Sequence, residues 1–174
     1  MANPTMTLIG SPITVGSGGV ASVTFSSIPA TYTDLVVKAS VRSLRASSED
    51  GMGFTVNSSG ATSWLLLTGN GSSASSGTNS SLGYGSGWTG RIPGNTTTSN
   101  TFGNWELYLP NYTLSGAKSY SLDAVTEDNS STAYASLQAG YYSSVGAVTS
   151  LTLSAANSNL AQYSTFYLYG ISNS

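Results

Sequence analysis

Cysteine and histidine are both absent from this chain of 174 residues. Without thiols there are no disulfides, thiolate metal ligands or cysteine nucleophiles, and the redox compartment leaves no mark on the sequence. Without imidazole there is no Ser-His-Asp triad, no histidine-ligated zinc or haem, and no side chain whose ordinary pKa lies near neutrality. Charge is scarce as well: charged residues make up 7%, against about 25% in an ordinary soluble domain. Five Lys plus Arg and a net charge of -2 do not supply the basic face that displaces counterions from a phosphate backbone, so nucleic acid is not expected as a partner. No run of about 18 apolar residues occurs, and Met1 to Thr7 carries neither a basic nor an apolar stretch. The expectation is a protein made in a cytoplasm, neither classically exported nor membrane-spanning, with no cofactor.

Ser, Thr, Asn and Gly fill the space that charge leaves, and hydrophobic residues still make up 39%. The length suits one well-cored domain, residues 1–174, better than two. Thr33 to Ser43 shows the alternation of a strand: Leu35, Val37, Ala39 and Val41 fall on one face, and Val36, Lys38, Ser40 and Arg42 on a largely wet one. Ser164 to Ile171, rich in aromatic and β-branched residues, is its expected neighbour in a sheet. Val20 to Ser26, Met52 to Asn57, Thr101 to Leu109, Tyr120 to Thr126, Thr132 to Tyr142 and Val148 to Ala155 repeat the alternation. Ser63 to Thr68 is apolar on both faces, which suits a central strand or one covered by a neighbouring subunit. Leu44 to Gly51 reads as a polar bend. Residues 69–100 read as a Gly/Ser-rich loop insertion holding one or two short strands.

No segment has sustained helical spacing, and turn signals recur about every ten residues. The expected fold is therefore all-β: an antiparallel β-sandwich, jelly-roll-like, with about eight to ten strands.

The few groups able to do chemistry are carboxylates. Asp34, Glu106 and Asp123 lie on or beside expected strands, where an acid pair across a cleft would serve glycoside hydrolysis; outward-facing strand residues are the plainer reading. Glu49-Asp50-Gly51 and Glu127-Asp128-Asn129 offer oxygen ligands but lack the alternating acidic spacing of a calcium loop, and read as surface turns. Trp88 with Tyr84, or Trp64 with Tyr112, presents ring faces that stack on sugars; in a sandwich such rings also serve as core or subunit interface. Trp88, Arg91 and Tyr112, in or near loops, are the residues expected at contacts with another protein.

Three stretches, Ser27 to Ser43, Gly69 to Ser76 and Ala161 to Ile171, resemble small structural proteins of tailed bacteriophages. The resemblance implies a jelly-roll module, often trimeric, used as a capsid decoration (cement) protein or in a tail fibre. It implies a non-enzymatic role on the outer capsid surface of the virion, with the major capsid protein as partner and synthesis in the host cytoplasm. A tail or fibre module binding host-surface glycan is the alternative, and a small glycosidase a third.

Overall fold

Period-two alternation becomes a strand wherever one face finds something to bury. The computed structural model describes residues 5–58, 62–79, 90–126, 133–143 and 146–172. Within them lie thirteen strands and no helix. They are β1 (Met6–Leu8), β2 (Ile13–Thr14), β3 (Ser22–Phe25), β4 (Asp34–Val41), β5 (Glu49–Val56), β6 (Thr62–Gly69) and β7 (Ala74–Asn79), followed by β8 (Arg91–Pro93), β9 (Gly103–Leu109), β10 (Lys118–Thr126), β11 (Tyr134–Tyr142), β12 (Leu151–Ala155) and β13 (Thr165–Ile171).

Two antiparallel sheets result, an all-β sandwich as expected. The large sheet runs β1-β13-β4-β9-β10-β11-β6-β7 with β2 also on β13, and the small one runs β3-β12-β5-β8. The strand count exceeds eight to ten because two- to four-residue pieces such as β1, β2, β3 and β8 pair with longer neighbours. The expected neighbours β4 and β13 do pair, with Lys38 opposite Tyr167 and Val37 opposite Leu168.

The core lies between the sheets. Leu35, Val37 and Val41 of β4, with Trp105, Leu107 and Leu109 of β9, face Met52, Phe54 and Val56 of β5 and Leu151 and Leu153 of β12 in one buried cluster. Phe54 meets the Tyr120 ring edge-on at 5.1 Å and Trp105 at 6.4 Å, the arrangement that aromatic quadrupoles favour. At Gly170 the missing Cβ makes room for a ring: a methyl there would stand 2.2 Å from Cγ of Tyr32.

Three local expectations are corrected. The bend ends earlier than expected, since β5 begins at Glu49, and Asp50 is buried with its carboxylate accepting from the Gly51 amide (2.8 Å) and Asn157 Nδ2 (2.7 Å). Strand β6 is not central: it lies one place from the edge, with β7 outside it. Arg42 leaves the wet face. Its guanidinium Nη1 donates to the carbonyls of Thr98 (2.6 Å) and Thr101 (3.2 Å) and to Thr101 Oγ1 (3.3 Å), and Nη2 donates to the carbonyls of Asn95 (3.2 Å) and Thr97 (3.1 Å). Part of the 69–100 stretch is thus wound around a buried cation, and part forms β7 and β8.

Candidate assembly surface

Because side chains alternate, the same strands that fill the core set a second row of residues on the outer face of the large sheet. The register fixes that row. Ser76, Leu67, Leu137, Asp123, Glu106 and Lys38 stand in line across β7, β6, β11, β10, β9 and β4. One step along the strands, Thr78, Leu65, Ala139, Ser121, Tyr108 and Val36 form a parallel row, which Tyr169 and Leu8 continue over β13 and β1. Nothing among the described residues covers the β6 and β11 part of this face. Leu65 is 67% exposed, Leu137 58% and Leu67 52%, with Tyr141 and Val125 exposed beside them. Isolated exposed leucines need no explanation, whereas contiguous ones mark a binding surface.

The face holds a groove of about 710 Å³. Leu65, Leu67, Leu137 and Ala139 make one side of it, and Glu106, Tyr108, Ser121 and Asp123 the other. The lining is mostly apolar. Strand β7 bounds it, with Ala74 to Thr78 exposed on both faces.

Electrostatics divide the face. Glu106 is ion-paired with Lys38, its neighbour across the β4–β9 ladder. Asp123 stands directly across from Glu106 and accepts a long hydrogen bond from Asn104 Nδ2 at 3.4 Å. Asp34 is buried, its carboxylate accepting from the Tyr108 hydroxyl (2.8 Å) and the Asn111 amide (2.9 Å). That bond to the carboxylate, and then burial, raise the Tyr108 pKa above the ordinary tyrosine value.

The structure therefore brings together two of the three candidate acids and removes the third. Glu106 and Asp123 rise side by side from one sheet. Glu106 is engaged by Lys38, and the two acids line the polar side of the groove. Among the described residues no group of three or more Asp and Glu forms a metal cage. Glu49, expected in a turn, lies in β5 and pairs with Arg91; Glu127, Asp128 and Asn129 lie outside the described residues.

The residues expected at contacts are placed otherwise. Tyr112 is fully buried, its hydroxyl donating to the Pro29 carbonyl, so its ring presents no free face. Arg91 is held inside by the Glu49 carboxylate and lies over the Tyr134 ring, 4.1 Å from its centroid. Burial lowers its pKa below the ordinary arginine value. Both flank loops; a polar tip that finds a partner takes Tyr112 fully inside and leaves Arg91 only partly exposed. Trp88 and Tyr84 lie outside the described residues, and Trp64 is half-buried against the core cluster. The exposed leucines fit the second of the two readings of Ser63 to Thr68, a strand open to a neighbouring subunit, and two signals point to them. Ser63 to Thr68 is apolar on both faces, and Ala135, Leu137, Ala139 and Tyr141 share one face of β11 whose opposite face already carries Tyr142 into the core.

Comparison of the chain with protein-family models, with curated proteins and with solved structures finds no match.

Proposed function

We propose that this protein is a non-enzymatic structural protein of a bacteriophage virion: a jelly-roll-type decoration (cement) protein of the outer capsid surface, oligomeric, that stabilises the shell by bridging neighbouring major capsid subunits. The observation that carries the reading is the uncovered apolar face of the large sheet, Leu65, Leu67, Leu137, Val125 and Tyr141 in adjacent strands. Such a patch makes a protein a component of something larger. The rest of the surface supports the same role. It offers no thiol to oxidise and few basic residues for trypsin-like cleavage, tolerances that suit the outside of a particle. Bridging would add buried area at the junctions between shell subunits and so raise the barrier to their separation.

The test is to locate the chain on purified particles by electron cryo-microscopy and to compare the heat stability of particles with and without it. Regular density over capsid junctions, with earlier rupture of bare particles, is the expected result. Density confined to the tail, or equal stability, rejects the reading.

A second reading, binding of a host-surface glycan, is favoured by one observation: the groove sets Glu106, Asp123, Ser121 and the Tyr108 ring, all capable of meeting sugar hydroxyls or faces, beside each other. A glycan array with the isolated protein decides it, because specific binding abolished by Asp123→Ala places the sugar in the groove. The mostly apolar lining is why the first reading is preferred.

A further inference from the structure

The outer face of the large sheet carries two parallel rows of side chains, the Leu67 row and the Leu65 row. We propose that two copies of this chain pair face to face through it, about a two-fold axis that runs across the strands between the Leu67 row and the Leu65 row. The pairing rests on the reading of this face as an assembly surface and names its partner as a second copy.

Three observations carry it. First, the two rows are complementary under that rotation, which lays each row of one copy over the other row of its mate. Leu67 comes over Leu65 of the second copy, leucine against leucine, and Leu137 over Ala139, large against small. Second, the charges do not collide. Asp123 comes over Ser121, a hydroxyl donor, Glu106 over Tyr108, and Lys38 over Val36. No carboxylate lies over a carboxylate, and like-charge juxtaposition is what suppresses wrong pairings. Third, the face is large enough. An eight-strand path spans about 34 Å across the strands and about 24 Å along them, or about 800 Å² per copy, the share each partner gives to a standard stable interface. The strands of the two copies would then lie nearly aligned, the arrangement in which twisted sheets stack.

An anionic lipid surface or a nucleic acid would set phosphates over both acids of this row, whereas the two-fold pairing offsets the row so that no acid lies over another. A different protein needs a complementary pattern of its own, whereas the second copy carries that pattern already.

The experiment is sedimentation velocity on the purified full chain, alone, at about 50 µM, a concentration that populates any dimer of micromolar affinity. The expected species is a dimer, twice the chain mass of 17.8 kDa. Leu137→Glu is expected to raise its dissociation constant at least a hundredfold with an unchanged far-UV circular dichroism spectrum. If that variant misfolds, Leu67→Ser, on a side chain already half exposed, tests the same contact. The chain has no cysteine, so Leu65→Cys and Leu67→Cys variants mixed with a short thiol-to-thiol cross-linker, able to span sheets about 10 Å apart, must link to each other more readily than either does to itself. A monomer throughout, a trimer indifferent to Leu137→Glu, or self-linking of Leu65→Cys as the faster reaction each overturns the pairing. Decoration of capsids by a chain that stays monomeric would overturn the pairing alone, whereas a dimer that never binds capsids would overturn only the decoration role.

Discussion

Arg42 offers a test of how the fold is held at one end. It is 6% exposed, its guanidinium donates to four backbone carbonyls of residues 95–101, and burial draws its pKa below the ordinary arginine value. Its main-chain amide donates to Ser164 Oγ (3.1 Å), and its carbonyl accepts from the same hydroxyl (3.2 Å) and from the Ala161 amide (2.8 Å). One residue thus ties β4, the loop after β8 and the approach to β13. Arg42→Met keeps the apolar stem and removes the fork. Each carbonyl left dry would cost about 1–3 kcal/mol, but the loop can open to water and recover part of this. The net loss is set at about 3 kcal/mol, the low end for stripping one partner from a buried charged network. For a domain of this size that lowers Tm by about 6–12 °C. Arg42→Lys keeps the charge but not the planar fork, so it should fall about halfway. Calorimetry gives the melting temperatures, and amide hydrogen exchange reports whether residues 95–101 loosen first. A methionine variant that melts within about 1 °C of the parent, with exchange of the loop unchanged, would refute the reasoning.

Gly170→Ala should destabilise by about 2–3 kcal/mol through overpacking, because the new methyl enters the Tyr32 ring. Tyr32→Ala in the same chain should recover part of that loss; strictly additive urea midpoints would show that the ring is not what excludes the methyl. At alkaline pH the protein should lose stability through two tyrosines. The Asp34 hydrogen bond and then burial raise Tyr108, and burial foremost raises Tyr112. Both hold their protons more tightly folded than unfolded, so their contribution is complete below the unfolded value of about 10 and fades as pH climbs through the folded values. Lys118, lowered by burial, works in the opposite sense as pH rises toward its unfolded value of 10.5. Absorbance at the tyrosinate band should show two groups lagging behind the exposed tyrosines, one of them removed by Tyr108→Phe. A single transition in the folded protein would contradict this.

How much of this could be read from the chain follows from where the alternation is strong. Strands β4, β9, β10 and β11, and the pairing of β4 with β13, were legible because a buried face every second residue leaves no other period. The same alternation does not say whether the second face is wet or covered. That is why Leu65 and Leu67 leave open both a central strand and one covered by a neighbouring subunit; they point outward from a strand next to the edge. Position relative to loops was a poor guide for single residues. Tyr112 and Arg91 were expected at the surface, yet an internal carbonyl and an internal carboxylate take their polar tips. Arg42 misled in the same way: its partners are main-chain carbonyls, which have no sequence signature at all.

The place of β13 has a consequence for how the molecule is made. It is the last of the thirteen described strands in chain order, yet it lies between β4 and the β1 and β2 pieces. Until residue 171 emerges, two of the earliest segments have no ladder to join and β4 keeps an open flank. The decisive step of folding thus follows translation of nearly all of these strands, through contacts far apart in the chain, and so belongs to the slow class. During that interval the nascent polypeptide displays an unpaired strand. Its yield in a cell should depend on how quickly that gap is filled.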